Sequence, residues 1–104
     1  MAKAIMINAR DNTATLLGEA QAGECVSIVR ESGQVVQEIT ARQPISVGHK
    51  IGLSDIREGE RVLKYGETIG VATQTIQKGE HVHVHNVVSA VFPGRPIPST
   101  QGTS

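Results

Sequence analysis

The chain has 104 residues, with ten basic and ten acidic side chains that cancel to a formal net charge of zero. That length builds one domain with a modest core, not two. Zero net charge, one Tyr, one Phe and no Trp remove both the electrostatic footprint and the stacking platform of a nucleic-acid binder, so nucleic acid is not expected as a partner.

The opening MAKAIMINARDN has only a short apolar run before Asn8, Arg10 and Asp11, whereas a signal peptide needs about 7–15 apolar residues and a cleavage site. No stretch approaches the ~20 apolar residues of a membrane span. A soluble, cytoplasmic protein without a membrane partner is expected. The single Cys25, in ECVSIVR, cannot form an internal disulfide and reads as a small buried hydrophobe rather than a nucleophile.

Taken in order, AIMI (4–7), TATLL (13–17), CVSIV (25–29), VVQEI (35–39), RVLKY (61–65), TIGVATQ (68–74) and HVHVHNVVSAV (81–91) read as short strands. Their apolar period is two, and Asp-Asn, Ser-Gly and other Gly-containing turns separate them. No window of ten or more residues is convincingly amphipathic as a helix. One helical turn near LSDIR, capped by Ser54, is the most helix to be expected. The fold class is mainly β. After Phe92 the texture changes to PGRPIPSTQGTS, an extended tail or linker. The expected division is a β domain over 1–92 and a tail over 93–104.

A weak repeat runs through the β region. AGECV (22–26), EGERV (58–62) and KGEHV (78–82) share the form x-Gly-Glu-x-Val, the last two following an isoleucine in DIREGE and TIQKGE. Each copy places a Gly at a turn and a Val as the first inward residue of the next strand. A small barrel or clip of repeated turn-strand units would produce this pattern.

The densest chemistry lies in HVHVHN (81–86). Strand alternation sets His81, His83 and His85 on one face and Val82 and Val84 on the other. At about 3.3 Å per residue, His81 and His85 stand about 13 Å apart at their Cα atoms. An imidazole reaches a metal roughly 6 Å from its own Cα, so a regular strand supplies two of these ligands to one ion and the third comes from elsewhere. Spacing leaves three readings: a metal site, a set of donors for an anionic substrate, or a solvated face. In PISVGHKIGL (44–53), the adjacent basic pair His49 and Lys50 between apolar flanks reads as a pocket mouth or an exposed strand end. Imidazole serves as base or ligand near neutrality, and a lysine holds a carboxylate or acts as base when desolvated. Lys64 and Tyr65, in KYGETIG (64–70), are a second donor pair, while Glu67 reads as a turn residue.

The stretch GHKIGLSDIREGERVLKYGETIGVATQTIQKGEHVHVHN (48–86) resembles the small domain of the altronate and galactarate dehydratase family. The likeness rests on Gly48-His49-Lys50, Lys64-Tyr65-Gly66, Ile69-Gly70 and His81-x-His83-x-His85-Asn86, in order and at the family's spacing. It departs at Gly52, where the family usually has Ala. The resemblance implies a SAF-like β-clip, a fold shared with the antifreeze-like domains of sialic acid synthases. It further implies the small subunit of a lyase that eliminates water or sulfite from a hydroxy acid, inactive without a large catalytic lyase subunit. Divalent iron is the implied metal, with manganese as its substitute, and self-association is left open. His83 and His85, with His81 beside them, are the implied metal ligands. His49 and Lys50 are the implied catalytic pair, and Lys50, Lys64, Tyr65 and Asn86 the substrate contacts; the resemblance does not assign the general base. The rival readings are a non-catalytic carbohydrate- or carboxylate-binding module of the same fold and a small metal-handling protein.

Overall fold

The computed structural model describes residues 2–83 and 85–89. Nine strands occur among them: β1 (Ala2–Ile5), β2 (Thr13–Leu16), β3 (Cys25–Val29), β4 (Val35–Thr40), β5 (Lys50–Gly52), β6 (Arg61–Lys64), β7 (Glu67–Ala72), β8 (His81–Val82) and β9 (Val87–Ser89). They form a six-stranded sheet in the order β4-β3-β1-β2-β5-β8 and a three-stranded sheet in the order β6-β7-β9. The β1–β3 pair is parallel and every other pair antiparallel. The described residues contain no helix, and therefore none long and apolar enough to cross a membrane. The protein is mainly β, as the period-two pattern predicts.

The repeat is more complete in space than in sequence. In each copy the turn Gly donates its N–H to a carbonyl on a neighbouring segment, and that same segment donates an N–H back to the residue after the Gly. Gly23 and Glu24 bracket Ala41 in this way, Gly59 and Glu60 bracket Ala72, and Gly79 and Glu80 bracket Gly52. A fourth copy has the same bonds, with Gly48 and His49 bracketing Leu16. All four glycines have φ between 84° and 91°, where a Cβ is strained and Gly is the default residue. The copies join in two pairs through isolated bridges, Ala20 to Ile45 and Ile56 to Ile76. The residue three beyond each Gly (Val26, Ile51, Val62 and Val82) is fully buried.

Two apolar clusters result. The larger packs Leu16, Val26, Ile28, Ile39, Ile45 and Ile51 with several alanines; the smaller packs Ile56, Val62, Ala72, Ile76 and Val82. Three consecutive polar side chains tie the two sheets together. Asp11 accepts the N–H groups of Tyr65 (3.0 Å) and Gly66 (2.6 Å) as well as that of Asn8. Asn12 donates to the Arg61 carbonyl and accepts from Leu63 N–H at 2.7 Å, and Thr13 donates to the Leu63 carbonyl. These bonds hold the β6–β7 hairpin, whose turn has φ 58° at Tyr65 and 75° at Gly66, the positive pair of a type I′ turn.

Three expectations are corrected, and one strand, β5, was not anticipated. The strand expected over 81–91 stops at Val82, and Asn86 N–H closes a turn on the His83 carbonyl before β9 enters the other sheet. LSDIR forms no helical turn, because Ile56 is recruited into its bridge with Ile76. Strand β5 has too few residues for its alternation to be legible. Cys25, expected buried, is half-buried at the start of β3. Val84 and the tail over 93–104 lie outside the described residues.

Candidate functional site

The site follows from one strand register. Lys50 pairs with Val82 and Ile51 with His81 across the antiparallel β5–β8 pair. One step further along the same register sets His49 beside His83. Their rings stack with centroids 4.0 Å apart and planes 17° from parallel. His81 lies on the same side, 5.0 Å from the His49 ring and 5.4 Å from the His83 ring. Its Nε2 stands 2.8 Å from His49 Nδ1, so one of these two nitrogens carries a proton and the other accepts it. Val82, between the two strand histidines, points into the smaller core. Alternation therefore holds at the two residues where the strand persists.

Among the described residues, His49, His81 and His83 are the group of side chains that could jointly hold a metal ion, with one ligand atom from each, all within 4.8 Å of one another. His85 is exposed in the turn, its ring tilted against His81 at 5.0 Å. The His81-x-His83 pair is thus completed by His49 from a distant turn, and His85 stands outside the triple. Burial, then the neighbouring His85, His49, His83 and Lys50, push the His81 pKa down to about 4. His83 is lowered as well, by desolvation and then by His49, Lys50 and His85. At neutral pH His81 is therefore a neutral imidazole with a lone pair to give, the form in which histidine binds metals.

The donor set fits a divalent transition metal. Imidazole nitrogen suits iron and its neighbours, and two ligands about 2.1 Å from one ion stand about 3.0–3.4 Å apart. The His49–His81 contact of 2.8 Å is within a small ring shift of that spacing.

Lys50 is half-buried, and desolvation followed by the charge of Lys64 lowers its pKa. Lys64 in turn lies over the Tyr65 ring, 4.9 Å from its centroid. Tyr65 is 54% exposed although its backbone is left-handed, and such strain persists where the surroundings over-determine it. Asn86, expected to contact substrate, is instead 3% exposed. Its amide is turned to the backbone, accepting from His83 N–H and donating to the His81 carbonyl. A surface groove lined by Gly23, Glu38, Thr40, Arg42 and Lys78 shares no residue with this site. Sequence reasoning overlooked Gln43, whose Oε1 accepts His81 N–H at 2.8 Å; nothing in its local pattern marks it.

Residues 2–90 match the family described as the altronate/galactarate dehydratase SAF domain. The chain belongs to this family. The SAF domain is 43% identical to altronate dehydratase of Escherichia coli over 82 residues, which are 79% of this chain and 15% of that enzyme. Against altronate dehydratase of Bacillus subtilis it is 40% identical over 82 residues, again 15% of the relative. The subunit alpha of (2R)-sulfolactate sulfo-lyase from Chromohalobacter salexigens is 46% identical over 50 residues, 48% of this chain and 53% of that subunit. The SAF domain thus spans a small part of the dehydratases and about half of the sulfo-lyase subunit.

Proposed function

We propose that the SAF domain is the small subunit of a hydro-lyase that removes water from a sugar acid or related hydroxy acid by metal-assisted β-elimination. The main catalytic domain would lie on a separate large subunit. The observation that carries this reading is the convergence of His49, His81 and His83 beside Lys50, in a chain of the dehydratase SAF family. His49, His81 and His83 would hold Fe2+, or Mn2+ in its place. Bound there, the ion supplies Lewis acidity toward carboxylate and hydroxyl oxygens of a substrate.

The chain's own residues perform the rest of the binding. Lys50, half-buried beside the imidazoles, offers a cation to a substrate carboxylate. Charge developing on that carboxylate as the α-proton leaves is stabilised by a fixed donor more than the ground state is. Lys64 and Tyr65, on the hairpin whose turn Asp11 holds through the N–H groups of Tyr65 and Gly66, extend the donor surface toward the far end of an acid.

The test is reconstitution. The purified chain, a cognate large subunit, both together and neither are assayed with Fe2+ on aldonates, aldarates and (2R)-sulfolactate. Turnover is expected only in the mixture. Robust elimination by the chain alone, or by the large subunit alone at the same rate, overturns the proposal.

A further inference from the structure

Strand β8 is the outer strand of the six-stranded sheet, paired on one side with β5 and, among the described residues, on the other with no strand. A bare edge would leave the backbone of His81 to water. Two side-chain amides occupy that edge instead. Gln43, on the segment between β4 and β5, accepts His81 N–H at 2.8 Å, and Asn86 donates to the His81 carbonyl at 2.7 Å. Asn86 also accepts His83 N–H at 2.9 Å, donates its own N–H to the His83 carbonyl and accepts Thr73 N–H. Every polar group of Asn86 is thereby engaged, and the residue is buried.

From this geometry we infer that Gln43 and Asn86 are positioning residues, which fix the backbone of His81 and His83 so that their rings converge on His49. The inference rests on the ligand role proposed above for these three histidines. The reason lies in orientation rather than stability. Water would satisfy the same edge groups at little cost in folding free energy. It would not hold two rings to the ~0.5 Å that a metal site requires. Asn86 acts from within the same turn, whereas Gln43 reaches in from 38 residues away and couples the site to the packing of the β4–β5 segment.

The test uses the whole chain with Co2+ as probe, followed by its visible absorption, together with NMR of the imidazole Hε1 protons in the metal-free protein. Gln43→Ala is expected to bind Co2+ about 10–100-fold more weakly, the usual loss when a supporting partner of a ligand is removed. Its melting temperature should stay within a few degrees of the unmodified chain. Gln43→Glu, which keeps an accepting oxygen, should recover most of the affinity. In the metal-free protein the Hε1 shifts of the stacked His49, His81 and His83 should move toward unstacked values in Gln43→Ala and return in Gln43→Glu. Asn86→Ala removes a buried amide and endangers folding itself, so the Gln43 pair carries the test. Unchanged Co2+ affinity together with unchanged ring shifts in Gln43→Ala overturns the inference. A chain that binds no Co2+ while its ring shifts still depend on Gln43 upholds the positioning and overturns the ligand reading.

Discussion

His49 holds in its turn the position that Glu80 holds in the equivalent turn of the partner strand. Glu80 turns its carboxylate back on the N–H of Gln77, as Glu24 does on Gln21 and Glu60 on Arg57. His49 keeps the backbone bonds of the turn but sends its ring to His81 and His83. One of four structural turns has thus exchanged its own brace for a functional side chain. His49→Gln restores an acceptor that can reach the Ser46 N–H and is not an imidazole ligand. We expect thermal melts of this variant at or slightly above the original midpoint, a gain of about 0.5–1 kcal/mol at most. Co2+ affinity should fall at least tenfold, as expected for loss of a ligand. A variant that melts several degrees lower would show that the ring stack itself holds the turn.

Val82→Asp should unfold the chain, whereas His83→Ala should leave it folded. Val82 is fully buried among Ile56, Val62, Ala72 and Ile76, and an unpaired carboxylate there costs several kcal/mol. His83 lies on the opposite, solvent-facing side of the same strand end. Circular dichroism melts of the two variants settle the order, and the reverse order would mean that the register of β8 is off by one.

Acid should destabilise the metal-free protein before most carboxylates titrate. His81 releases its proton at about 4 in the folded state against 6.5 when unfolded, and His83 is displaced in the same direction. Between these values the unfolded chain binds more protons than the folded one, so stability is full above about pH 6.5 and declines as pH falls toward 4. Urea midpoints at pH 7.5, 5.5 and 4.5 measure the slope, and His81→Gln should flatten it. An equal slope in that variant would place the acid sensitivity elsewhere.

Tyr65→Gly should leave stability unchanged or raise it by up to about 1 kcal/mol, the cost of a left-handed conformation for a residue with a Cβ. Its φ of 58° and its exposed ring make the tyrosine a poor choice for the turn alone. Reconstituted with a large subunit, the same variant should raise KM for the acid substrate. A variant that melts lower with KM unchanged would assign Tyr65 a purely structural role.

The sequence by itself determined the mainly β class, most of the strands with their glycine turns, and the inward valines of the repeat, because alternation and positive-φ glycines are local consequences of backbone sterics; the short β5 escaped it. Val26, Val62 and Val82 are buried where x-Gly-Glu-x-Val places them, and His81 faces away from the core as its neighbour demands. The motif from Gly48 to Asn86 also carried the family. Tertiary structure alone decided which histidines meet. The β5–β8 register joins residues 32 apart, and packing of two distant strands fixes it, not any local preference. The end of β8 at Val82 was equally hidden. The alternating pattern continues to His85, but the buried Asn86 amide captures the backbone of His81 and His83 and folds it into a turn. His49 completes the cluster through the β5–β8 register, as a third ligand from outside the strand.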